Sequence, residues 1–140
     1  MLTAEVIDAV GGLIAHVKTY AMTLPSIVHL KAMPSGVKPF VEAIDNYEVI
    51  VSRVQRQSAG TPYRGLNESL ICSLEAFEQG NLIGTVQVLL AVIDQLERMH
   101  RDQEIDVRPM DEKRLTEYRV ALRKVLPGNR PELAETGGGL

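Results

Sequence analysis

The chain has no tryptophan, and only four tyrosines and two phenylalanines among its 140 residues. Modules that hold single-stranded nucleic acid stack its bases on exposed aromatic rings, so scarcity of rings weighs against that class. The single cysteine, Cys72, excludes an internal disulfide framework and any multi-cysteine zinc site. Basic residues are not in excess either: 15 Lys and Arg face 18 Asp and Glu, for a net charge of −3. The densest basic clusters are Lys113-Arg114 and Arg119 to Lys124, too scattered for the basic footprint of a nucleic-acid binder. The longest apolar run, Val88 to Ile93, is far below the roughly 18 to 20 residues that span a bilayer. Glu5 and Asp8 come early, and Val10 to Ala15 is short and broken by glycine, unlike a secretory leader. A cytoplasmic, soluble protein with no membrane and no nucleic-acid partner is the expectation.

What is present is an aliphatic core inventory on helical spacing. Apolar residues make up 45% and charged residues 24%, the composition of an ordinary globular domain long enough to bury a core unaided. Val6, Val10, Leu13, Ile14, Val17 and Ala21 recur at intervals of three and four and predict a helix over about 4–22, with Thr3 as its N-cap. Gly11 and Gly12 fall off that stripe, on a side expected to be exposed. Pro25 and Pro34 bracket an apolar segment that could form two helical turns. A second helix should run from near Pro39 to before Gly60, with Phe40, Val41, Ile44, Tyr47, Val51 and Val54 inward. A third follows Thr61-Pro62, or starts later if Gly65 breaks its first turn, and buries Leu66, Leu70, Ser73, Leu74 and Phe77. Gly80-Asn81 then joins a left-handed C-terminal glycine to an asparagine N-cap, which predicts a tight αα-hairpin.

The helix over 82–101 carries a main stripe of Leu82, Ile83, Val86, Leu89, Leu90, Ile93 and Leu96. Val88, Val92 and Met99 make a second apolar strip nearly opposite. A helix apolar on two sides is central in its domain or covered by another chain. A chain this small offers little room for a central helix, so a homodimer or other protein contact is expected through Val88, Val92 and Met99, joined by Ile27 and Leu30 of the Pro25–Pro34 segment. Arg101 to Arg108 reads as a loop, and a last helix spans about 111–126, with Leu115, Tyr118, Leu122 and Val125 inward. Residues 127–140 are polar and glycine-rich, the composition of a flexible tail. The fold class is all-α: an antiparallel bundle of four longer helices plus one short helix, in one domain over residues 1–126.

The stretch Asn67-Glu68-Ser69-Leu70, through Glu75-Ala76-Phe77-Glu78-Gln79-Gly80-Asn81, to Leu89-Leu90-Ala91-Val92-Ile93-Asp94-Gln95-Leu96 resembles the FIMAH domain. That family is a small helical module of bacterial secreted enzymes, with a Ser-Leu start, a Gly-Asn hairpin and a following helix in a Leu, Ala, Phe, Ile, Asn, Gln, Val order. Val92 stands where that order has its aromatic. The same hairpin is similar to flagellar export chaperones, cytoplasmic helical bundles that wrap a partner. Both resemblances imply a non-catalytic binding module, and neither implies a site residue.

Four constellations could carry chemistry. His16 lies on the first helix, where phosphotransfer domains expose a histidine followed by lysine and glycine three and four places on. Here Lys18 is two places on and Tyr20 takes the glycine position, so a histidine at the core boundary is the better reading. Glu97 and His100 share the i, i+3 spacing of carboxylate-bridged di-iron bundles, but no second Glu-x-x-His exists. Cys72 has no local feature of a nucleophile and reads as a small apolar filler. Arg98, Arg101, Arg108, Arg114, Arg119 and Arg123 could line an anion pocket at a dimer seam, yet interspersed carboxylates suggest a salt-bridged surface. The expected function is therefore a non-catalytic interaction or regulatory module, with no catalytic residue, metal ligand or cofactor. The alternatives are a small anionic-ligand enzyme or sensor with an arginine-lined dimer pocket and, after it, phosphotransfer through His16.

Overall fold

A computed structural model describes residues 1–24 and 38–126. The turns expected between Pro25 and Pro34, the interface positions Ile27 and Leu30, and the C-terminal tail lie outside the described residues. Five α-helices are present among those described: α1 (Thr3–Thr23), α2 (Val41–Gln57), α3 (Asn67–Glu78), α4 (Leu82–Arg101) and α5 (Pro109–Val125). A 3₁₀ turn over Pro62–Leu66 leads into α3. With 12 residues, α3 is the short member beside helices of 21, 17, 20 and 17.

Local chemistry accounts for the boundaries. The cap of α1 is Leu2, whose N–H donates to Glu5 Oε1 at 2.7 Å. The expected cap residue, Thr3, instead hydrogen-bonds the Tyr63 hydroxyl and ties α1 to the 3₁₀ turn. Thr61 Oγ1 accepts the Tyr63 N–H at 3.3 Å, and Pro62 opens that turn, where a missing N–H costs nothing. At the end of α3, Gly80 takes φ +74. Its N–H reaches the Phe77 carbonyl at 3.0 Å and that of Asn81 reaches Ala76 at 2.9 Å, a Schellman close. Asn81 Oδ1 then accepts the Gly84 N–H at 2.9 Å, so one residue ends one helix and caps the next. The same close recurs after α4, with Gln103 at φ 61 in place of glycine and Glu104 N–H on the Met99 carbonyl at 2.9 Å. The following loop is pinned by buried Ile105. Pro109 starts α5 two residues before the expected Asp111.

Pair contacts give the helix directions. Gly12 on α1 meets Ile50 on α2, and His16 meets Tyr47. Ser58 at the end of α2 meets Asn67 at the start of α3. The Tyr20 hydroxyl donates to the Gly80 carbonyl at 3.1 Å, setting the end of α1 against the α3–α4 turn. Glu112 pairs with His100, and Arg119 with Glu97 and Asp94. Each helix thus runs antiparallel to the next, and α5 lies parallel to α1, with Asp8 on Arg114 and Gly11 on Tyr118.

This packing corrects the reading of α4. Val92 is fully buried and Met99 is 5% exposed within the single chain; Val88 is half-buried. Beside that strip, Gln95 donates to the Gly65 carbonyl at 3.2 Å, and Val88 borders a groove whose other wall is Glu68, Ser69 and Cys72. The strip therefore faces α3 and the 3₁₀ turn. On its other flank α4 offers Asp94, Glu97 and His100 to α5, and it also packs on α1. Three neighbours cover the wide apolar arc, so α4 is the central helix after all. The argument for a partner chain on Val92 and Met99 falls with it.

Two further expectations are corrected. Phe40 and Val41 are 75% and 73% exposed, so the inward stripe of α2 starts at Ile44. Gly11 is a site of close approach: a Cβ there would stand 2.3 Å from Tyr118 Oη and 2.8 Å from its Cζ. Gly11→Ala should therefore lower the melting temperature although alanine favours helix by about 1 kcal/mol. In a Tyr118→Ala background the same substitution should raise it. Thermal melts of the four proteins of this cycle check the sign reversal, and a Gly11→Ala effect of one sign in both backgrounds would refute the close approach.

Candidate functional site

The polar network of the core is closed. Tyr47 is the largest fully buried side chain among the described residues; its hydroxyl donates to Ser73 Oγ at 2.8 Å, and the Ser73 hydroxyl donates in turn to the Leu70 carbonyl at 2.7 Å. The Tyr47 ring stacks on Phe77 at 4.5 Å and 18°, and Tyr20 meets Phe77 edge-on at 5.8 Å. Burial pushes the Tyr47 phenol far above its usual range, against a small lowering by the Ser73 hydrogen bond; burial also raises Tyr20. Among the described residues no buried side-chain nitrogen or oxygen lacks a hydrogen-bond partner. Nothing polar in this core is aimed into an empty space.

The sequence-identified candidates do not converge. His16 is half-buried with its ring 6.5 Å from that of Tyr47, a boundary position as expected. Glu97 turns to Arg119, with 2.5 Å between oxygen and nitrogen, while His100 Nδ1 lies 3.3 Å from Glu112. The two are thus drawn to different partners, and no group of three potential metal ligands forms among the described residues. Arg114 is held by Asp8, Asp111 and the Tyr118 hydroxyl, and Arg119 by Asp94 and Glu97. They point to opposite flanks of α5. Arg98, Arg101, Arg108 and Arg123 are exposed. Cys72 is exposed too, which corrects its reading as an apolar filler.

Surface grooves are lined by described residues at two places. One, of about 350 Å³, runs between α3 and α4, with Cys72 and Glu68 on one wall and Gln87, Val88 and Ala91 on the other. Of the three described interface candidates, Val88, Val92 and Met99, Val88 lines this groove. The second groove, of about 360 Å³, lies where α1 and α5 finish side by side. Ala21, Met22, Val120, Ala121 and Val125 supply its apolar surface, with Met22 83% and Val120 47% exposed. Lys18, Glu117 and Lys124 complete it. Neither groove has an arginine in its lining.

The α1–α5 groove is not among the surfaces expected from the sequence. Met22 and Val120 are apolar residues standing off their helices' inward stripes, the one signal available. Compared with protein-family models, curated proteins and solved structures, the chain finds no match in any of the three. The likeness of residues 67–96 to FIMAH modules and export chaperones gains no support there. Among the described residues no helix is long and apolar enough to cross a membrane.

Proposed function

We propose that this protein is a non-catalytic helical interaction module whose partner is another polypeptide, bound at the seam of α1 and α5. The observation that carries this reading is the groove there: exposed Met22 and Val120 beside Ala21, Ala121 and Val125. Apolar side chains gathered in a concavity are a recurrent docking feature, whereas scattered ones are ordinary surface. The closed polar core and the pairing of Arg114 and Arg119 within the chain agree with a role that leaves chemistry to the partner. An exposed lone thiol at Cys72 suits a reducing cytoplasmic setting.

The test places a photo-crosslinking amino acid at Val120, and in parallel at Glu48 on exposed α2, in cells that express the chain natively. A protein adduct formed at Val120 and absent at Glu48 is the expected result. Equal labelling at both positions, or none at Val120, would remove the reading. Sedimentation of the purified chain over a range of concentrations separates a second copy from a different protein.

A further inference from the structure

The charges around the α1–α5 groove specify the partner more closely, an inference that rests on the interaction reading above. Lys18 and Lys124 line it from opposite helices, and among the described residues neither is engaged in an ion pair. Exposed Lys113 stands one turn before Glu117 on the same face of α5, within i, i+4 reach of that carboxylate. Two lysines and one carboxylate thus line the groove, with Lys113 one turn from that carboxylate, on a chain whose overall charge is −3. On the other flanks of α5, Arg114 is engaged by Asp8 and Asp111, and Arg119 by Asp94 and Glu97.

We infer that the groove receives an amphipathic helix of another protein, with apolar anchors entering beside Ala21, Ala121 and Val125 and acidic residues flanking them toward Lys18 and Lys124. Helix-in-groove recognition uses anchors at i, i+3 or i+4, and i+7. The charge pattern then chooses among apolar helices and speeds encounter. A two-fold dimer through this groove would bring four lysines together with two carboxylates, leaving a net positive seam that an acidic helix neutralises better.

Selection of a displayed library of helical peptides on the immobilised full chain tests this. The expected winners carry apolar residues at helical spacing flanked by Asp or Glu. Ala121→Arg should weaken them tenfold or more, and the Lys18→Glu/Lys124→Glu pair should shift the selection toward Lys- and Arg-flanked peptides. Circular dichroism confirms that each variant is folded; Lys18 and Lys124 are exposed, Ala121 borders the core, and exposed Val120→Arg serves if Ala121→Arg is unfolded. Winners without acidic bias, winners indifferent to these variants, or no winners would overturn the inference. So would binding of phosphatidylserine vesicles lost in the lysine variant, which assigns the groove to a membrane surface, or a dimer abolished by Ala121→Arg. Val120 adducts in cells alongside unbiased peptides would retain the interaction module and discard the acidic helix.

Discussion

Val92→Glu is expected to abolish the cooperative fold at neutral pH. Val92 has no exposed surface, and α3 and the 3₁₀ turn close over its side of α4. A carboxylate placed there finds no described cation beside it, since Arg119 is engaged on the other flank of the helix. Leaving a charge buried and unpaired costs about 3–5 kcal/mol, a large share of the 5–15 kcal/mol that holds a typical domain folded. Urea titration followed by circular dichroism should show the transition lost or moved to much lower denaturant. Burial raises the pKa of the introduced carboxyl above its unfolded value of about 4.3. Its protonated form is the one the folded chain tolerates, so the deficit relative to wild type should be smaller at pH 4 than at pH 8 and grow as pH rises through the raised pKa. Ala91→Glu, one residue earlier and exposed, should stay within about 0.5 kcal/mol of wild type. Equal stability of Val92→Glu and Ala91→Glu would contradict the central placement of α4.

That contrast locates the limit of what the sequence conveys. The range of α4 agrees with periodicity and caps at both ends, because Asn81 and the break after Arg101 are local events. The Gly80-Asn81 hairpin is equally local: a positive φ at glycine and one side-chain cap settle it. The width of the apolar arc on α4 is also legible, but its coverage is not. Whether Val92 meets a second chain or α3 depends on how five helices share their faces, and no pair of residues close in sequence encodes that. Gly11 fails for the same reason: its purpose is Tyr118, more than a hundred positions away and on α5. Cys72 reads as a small apolar filler and Phe40 as part of an inward stripe, yet both are exposed, Cys72 on the wall of the α3–α4 groove and Phe40 at the N-cap of α2. The α1–α5 groove arises from two helix ends that meet only in the parallel pairing of first and last helices. Val120 and Met22 stand off the inward stripes of their own helices, and only their juxtaposition makes them a surface.

Tyr47→Ala is the second large effect, expected at about 3–5 kcal/mol from loss of a buried ring and the cavity left behind. The ring is the hub of the aromatic cluster: it stacks on Phe77, which Tyr20 meets edge-on, and it borders His16, so α1, α2 and α3 all lean on it. Tyr47→Phe separates the ring from its hydroxyl. Ser73 keeps its own acceptor, the Leu70 carbonyl, so the cost of removing the hydroxyl should be only about 1 kcal/mol. The hydroxyl nonetheless sets an alkaline limit. Its pKa is raised in the folded chain above the ordinary value of 10.0, chiefly by burial. The folded state therefore favours the neutral phenol, and this contribution is fully present below pH about 10, the unfolded pKa, and lost as pH rises through the folded one. Wild-type stability should fall above pH about 10 with a slope approaching 1.4 kcal/mol per unit from this group, and Tyr47→Phe should flatten that slope. Ultraviolet titration should show a late phenolate step coincident with alkaline unfolding in wild type and diminished in Tyr47→Phe. A Tyr47→Ala protein that melts within a few degrees of wild type, or a Tyr47→Phe protein with an unchanged alkaline profile, would mean that the three helices do not converge on this ring.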